Sequence, residues 1–159
     1  MPTSPAPRHL FAATALAVSA FAFTAAATAA EPGVTDTKII LGSVTPVSGP
    51  PSLLGKAHMM ALKVWEQDVN ARGGINGRKV EIRQDDDGYV PQRALQGVKR
   101  LNEVENIFAL VGTSGAAMLQ AMLPYIEEQK IPTINGMAVS ASHFTPPRKT
   151  VFILGPTYC

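Results

Sequence analysis

The run Gly112-Thr113-Ser114-Gly115 carries the side chains best suited to chemistry in this sequence. It is short and built of small residues, and it lies between an apolar stretch, Ile107 to Val111, and a helical pattern marked by Leu119, Met122, Leu123 and Ile126. A loop of that kind leaves the backbone N–H groups at the start of the helix exposed. Those groups, with the positive end of the helix dipole, favour an anion such as a carboxylate. The hydroxyls of Thr113 and Ser114 can add hydrogen bonds to it. The same residue types also serve as plain helix caps, and the sequence leaves the two roles open.

Other candidates are weaker. Asp85-Asp86-Asp87 offers three carboxylates of the kind hard cations take, but it lacks EF-hand spacing and a downstream bidentate Glu. It reads better as a solvated strand end with acidic charge at a helix start. His58 and His143 stand in no metal spacing and read as structural or exposed. The methionines at helical spacing read as core filler. There is no nucleophile elbow, no HExxH, no Walker loop and no Gly-x-Gly-x-x-Gly, so no cofactor is expected and an enzyme is disfavoured.

The elements that must position these residues alternate. Lys38 to Val44 is a short β-rich run, followed by a turn-forming loop from Thr45 to Ser52. Leu53 to Arg72 carries a helical stripe of Leu54, Ala57, Ala61, Val64 and Asp68 with Met60, Trp65 and Val69 beside it, a pattern that predicts one packed side. Gly73-Gly74 ends that helix. Arg78 to Gln84 reads as the second strand, Asp85 to Val90 as a polar loop, and Pro91 as the opening of the second helix. Strands then fall at Ile107 to Val111, Ile131 to Asn135 and Val151 to Leu154, with an irregular connection over Gly136 to Lys149. The order β-α-β-α-β-α-β-loop-β predicts an α/β fold, a doubly wound parallel sheet with helices on both faces. Ligands of such sheets bind beyond the carboxyl ends of the strands, which singles out Pro46 to Gly55, Gly112 to Ala116 and Gly136 to Ser142.

The first thirty of the 159 residues stand apart. Arg8 and His9 precede an apolar and small-residue run, Leu10 to Phe23, and small residues lead to Ala29 and Ala30. This predicts a cleaved secretory signal over 1–30, with cleavage after Ala29 or Ala30. The run is short of the roughly 20 apolar residues a spanning helix needs. The remaining 129 residues hold 13 basic against 12 acidic side chains, scattered rather than clustered. Nucleic acid is therefore not an expected partner. The single cysteine, Cys159, has nothing within the chain to pair with.

Several stretches, in order, resemble one family. Lys38 to Pro50 (KIILGSVTPVSGP) is similar to the opening strand and first ligand loop of branched-chain amino acid binding proteins of the type I periplasmic class. Residues 73–81 (GGINGRKVE) resemble that family's helix-to-strand turn, 86–94 (DDGYVPQRA) its second helix start, and 111–115 (VGTSG) and 130–134 (KIPTI) its third and fourth strands. The resemblance implies two lobes closing on a small ligand, an amino acid or amide, and delivery to the permease subunits of an ABC importer in the periplasm, the complete protein being a monomer. It implies that the ligand carboxylate meets Thr113, Ser114, Gly115 and Ala116 and the stretch Gly136, Met137, Ala138 and Ser140, with Leu54 near its side chain. One departure is that Ala116 falls where relatives commonly place a carboxylate-binding serine, so Ser114 or a backbone N–H must substitute. The other is that residues 31–159 correspond to the N-terminal lobe alone, which reads as a truncation, with Cys159 its by-product or a free thiol. A ligand-sensing receptor domain of the same fold is the second reading, and an exported α/β enzyme the third.

Overall fold

The computed structural model describes residues 31–135, 139–155 and 157–158. The signal predicted over 1–30 and the site residues Gly136, Met137 and Ala138 lie outside them. Strand β1 (Lys38–Thr45) leads into helix α1 (Ser52–Ala71), then β2 (Lys79–Asp86), α2 (Pro91–Glu103), β3 (Ala109–Val111), α3 (Ala116–Glu128) and β4 (Thr133–Asn135). A short strand β5 (Val139–Ser140) and a 3₁₀ turn (Ala141–His143) precede β6 (Val151–Ile153) and β7 (Thr157–Tyr158). The main sheet has the order β2-β1-β3-β4-β6 with every pairing parallel, and β5 pairs with β7 in a small second sheet. The predicted parallel α/β sheet is therefore what the chain forms. Strand ends shift by one or two residues, and two differences bear on the site. The second strand continues through Asp85 and Asp86, which pair with Val44 and Thr45, and the connection after β4 holds β5 and the 3₁₀ turn.

Alternation along the strands sends side chains to opposite faces. Val44 and Leu110 join Ala94, Val98 and Leu101 of α2 and Leu119, Met122, Leu123 and Ile126 of α3 in one buried cluster. Leu41, Val80 and Ala109 join Val69 of α1 in a smaller one on the other face. Helices thus cover both faces, the larger core lying under α2 and α3. Each large aliphatic side chain buried there contributes about 1.5–3 kcal/mol relative to exposure.

Helix α1 corrects the sequence reading. Its predicted stripe turns outward: Leu54, Met60, Val64 and Trp65 are exposed, and of that group only Val69 is buried. The helix packs through Gly55, Glu66 and Val69 instead. Two anchors explain the choice. A side chain at Gly55 would collide with the Pro46 carbonyl, so glycine sets the close approach of helix to loop. At the other end the Asn70 amide group pairs with the edge strand like a strand residue, its Oδ1 accepting from Val80 N at 2.8 Å and its Nδ2 donating to Val80 O at 2.7 Å. Gly73 and Gly74 then close the helix as expected, both with positive φ, their N–H groups donating to Asn70 O and Val69 O in a Schellman arrangement.

Candidate functional site at the strand ends

Because every strand of the main sheet runs the same way, the loops after β1, β2, β3 and β4 gather on one edge. Helix α3 begins there. Its N-cap is Gly115 at φ 93° and ψ 125°, a conformation that disfavours other residues. Among the described residues no side chain caps the helix, and its first turn carries no acidic residue. The first turn closes with Leu119 N donating to Gly115 O at 3.0 Å. Helix geometry then leaves the N–H groups of Ala116, Ala117 and Met118 without intrahelical acceptors. The capping role that the sequence allowed Thr113 and Ser114 is not the one they adopt. Thr113 is fully buried, and its hydroxyl has no hydrogen-bond partner among the described residues. Ser114 donates its backbone N–H to Val44 O at 3.4 Å, which fastens this loop to the end of β1.

Asp86 organises the neighbouring loop. Its Oδ1 accepts from Val47 N at 2.9 Å, Ser48 N at 3.2 Å and Gly88 N at 2.9 Å. Burial works to raise its pKa, but the hydrogen bonds from the Ser48 side chain and from the Gly88, Ser48 and Val47 backbones outweigh it and hold the carboxyl at about 2. One carboxylate thus ties the loop after β1 to the loop after β2. Asp87 beside it is fully buried and accepts from Tyr89 N at 2.7 Å. Burial, with the charges of Asp86 and Asp85, raises its pKa against the Tyr89 N–H and Arg93. The acidic triplet is therefore not the solvated strand end the sequence suggested. Among the described residues no group of three acidic, His or Cys side chains is placed to hold a metal ion.

Two histidines flank the α3 start. His58 of α1 lies against Gly112, where any side chain would strike its ring. Burial lowers its pKa from the usual 6.5, partly offset by hydrogen bonding to the Gly112 backbone. His143 is buried, and its Nδ1 accepts from Ser140 N at 3.1 Å. Burial lowers its pKa as well, the Ala116 backbone working against this and the Arg148 charge with it. Arg148 braces the same turn from behind, donating to His143 O at 2.7 Å and Glu127 Oε1 at 2.6 Å.

The structure therefore brings Thr113, Ser114, Gly115 and Ala116 together at the α3 start and links Ser140 to them through His143. Leu54 sits in the first turn of α1, exposed, at the end of the loop that Asp86 holds. Sequence reasoning missed Asp86 and His143 as the residues that fix these loops, and Tyr89, whose ring lies beside Gly115. Only the last left a signal, an aromatic residue in an otherwise polar turn.

A parallel sheet whose ligand-competent loops share one edge is the architecture of a periplasmic binding protein lobe, and the comparisons with known proteins agree. The periplasmic binding protein family matches residues 38–158. The chain belongs to that family.

Among curated relatives, the Leu/Ile/Val-binding protein homolog 7 of Brucella suis is 33% identical over 106 residues, 62% of this chain and 26% of that protein. Among solved structures, a fatty acid ABC transporter substrate-binding protein from Thermomonospora curvata superposes with a TM-score of 0.71 at 35% identity, covering 80% of this chain and 31% of that one. A branched-chain amino acid transporter substrate-binding protein from Streptococcus pneumoniae, solved with isoleucine, shares the fold at a TM-score of 0.69 and 21% identity, covering 74% of this chain and 33% of that one. The chain thus spans between a quarter and a third of the length of these relatives.

Proposed function

We propose that this chain is the N-terminal lobe, over residues 31–159, of an extracytoplasmic solute-binding protein that serves an ABC importer, exported by a signal over residues 1–30. The solute is a small amino acid or amide of the branched-chain type. Its carboxylate or carbonyl oxygen is held by the Ala116 and Ala117 N–H groups with the Thr113 and Ser114 hydroxyls. Gly136, Met137, Ala138 and Ser140 are further contacts in this reading, with Leu54 near the solute's apolar end. The observation that carries this reading is the start of α3 without a side-chain cap, beside a buried Thr113 hydroxyl that has no partner among the described residues. A buried polar group without a partner costs about 1–3 kcal/mol, a cost that a bound acceptor would relieve.

The relatives support it from outside. They are named as binding proteins, for Leu/Ile/Val and for fatty acid, not as enzymes. The 35% identity to the fatty-acid protein favours one further reading of the same site, a carboxylate on a longer hydrocarbon chain. Thermal unfolding in the presence of L-leucine, L-valine, hexanoate and the methyl ester of leucine separates these readings, since a ligand that binds the native state raises the midpoint by mass action. The expected result is a saturable rise with a free carboxylate and a smaller one with the ester. An equal rise with the ester, or none with any acid, sinks the proposal.

A further inference from the structure

Tyr89 stands in a turn closed by Val90 N donating to Asp87 O at 2.9 Å, but that turn does not call for an aromatic side chain. The Tyr89 backbone stands at φ 64°, in the left-handed region that a bulky side chain rarely adopts, directly after Gly88 at φ 54°. A turn needing that conformation would be met at less cost by glycine or asparagine. The ring is half exposed, so burial does not repay the strain. Yet the residue is held firmly, its N–H donating at 2.7 Å to the fully buried carboxylate of Asp87.

The strain has a direction. A Cβ placed on Gly115 would lie 3.2 Å from Tyr89 Cε2, so the ring stands beside the N-cap of α3, next to the N–H groups left without intrahelical acceptors. A backbone outlier secured by a buried group, presenting an aromatic face to solvent at a helix start, points to a contact made with something other than this fold.

We infer that Tyr89 is a specificity-determining ligand contact: its ring is the wall beside the first turn of α3 against which the apolar part of the solute packs. This rests on reading the α3 start as the site of the solute's carboxylate. The N–H groups there take the charged end of any small acid, and the ring selects among acids by the hydrocarbon attached.

The test uses ¹⁵N-labelled protein of this sequence, titrated with L-leucine, with hexanoate and with glycine, which lacks a side chain. Wild type is compared with Tyr89→Gly and Tyr89→Phe, and thermal midpoints are measured on all three without ligand. Tyr89→Gly should keep or raise the midpoint, because glycine relieves the left-handed strain. It should weaken leucine or hexanoate about fivefold or more while leaving glycine within about twofold, and Tyr89→Phe should retain the wild-type preference. Unchanged leucine and hexanoate affinity in Tyr89→Gly, with the Ala116 and Ala117 amides still shifting, overturns the inference and leaves the carboxylate site standing. A midpoint lowered by several degrees assigns the ring to folding and overturns it too. If no acid shifts those amides in wild type, the carboxylate site itself fails, and the inference with it.

Discussion

Two loops at the same edge of the sheet handle their polar groups in opposite ways. After β1, the N–H groups of Val47 and Ser48 both find Asp86, which also takes Gly88 N. After β3, the Thr113 hydroxyl is buried without a partner among the described residues, and α3 opens with no side-chain cap. The chain demonstrably has the means to satisfy a loop, since it supplies a carboxylate to the first. Leaving the second unsatisfied concentrates donors at one place. The first loop is scaffold, and the second is where the proposed function puts the ligand's oxygen.

Mutations should pull these two regions apart. The largest effect is expected at Asp86. Asp86→Ala strands three backbone donors and should cost about 2–3 kcal/mol in urea denaturation; a loss under about 0.5 kcal/mol would mean the first loop is not held by this carboxylate.

Acid should act through the same group. The folded pKa of Asp86 is about 2, depressed from 3.8, so its contribution is complete above pH 4 and is lost as pH falls through 2. Its side chain is 28% exposed, and solvent screening trims the contribution to about 1–2 kcal/mol. The stability difference between wild type and Asp86→Asn, followed from pH 5 to 2, should shrink toward zero; a difference that stays constant would contradict the assignment.

A smaller change of the same sign, at higher pH, belongs to the histidines. Burial lowers the pKa of His58 and His143 from 6.5, so both leave stability untouched above pH 6.5 and lower it progressively as pH falls from 6.5 to their folded values, where the unfolded state alone takes up the proton. Replacing His143 by Gln should flatten the decline in thermal midpoint below pH 6.5. An unchanged slope would remove His143 from that account.

The smallest effect on stability is expected in the second loop, where Thr113→Val removes a hydroxyl with no partner among the described residues and keeps the shape. Stability should stay within about 0.5 kcal/mol while solute affinity falls, and Thr113→Val with Ser114→Ala should lower affinity further. A clear loss of stability in Thr113→Val would show that the hydroxyl already has a structural task.

The strands of the sheet and the small-residue loop after β3 were legible in the sequence for one reason: their signals are local. Apolar runs at Ile39 to Leu41 and Ala109 to Val111, turn residues between them, and small residues at 112–115 carry their meaning within a few positions. What was not legible depends on partners far apart in the chain. Asp86 reaches Val47 across 39 residues, and nothing in the triplet Asp85 to Asp87 distinguishes an acceptor of three N–H groups from a solvated carboxylate. His143 reads as an isolated histidine until the turn after β5 is laid against the start of α3. Helix α1 misled because its more apolar side is the exposed one, while the packed side holds Gly55 and Glu66 beside Val69. The decision falls to Gly55 and Asn70, whose contacts with Pro46 and Val80 fix which side faces the sheet.

A crystal structure of the protein with its solute bound tests the central claim most directly. The account predicts a solute oxygen within hydrogen-bonding distance of the Ala116 or Ala117 N–H and of the Thr113 hydroxyl. A solute held instead against the Asp86-bound loop, or away from the strand ends altogether, with the first turn of α3 untouched, would contradict it.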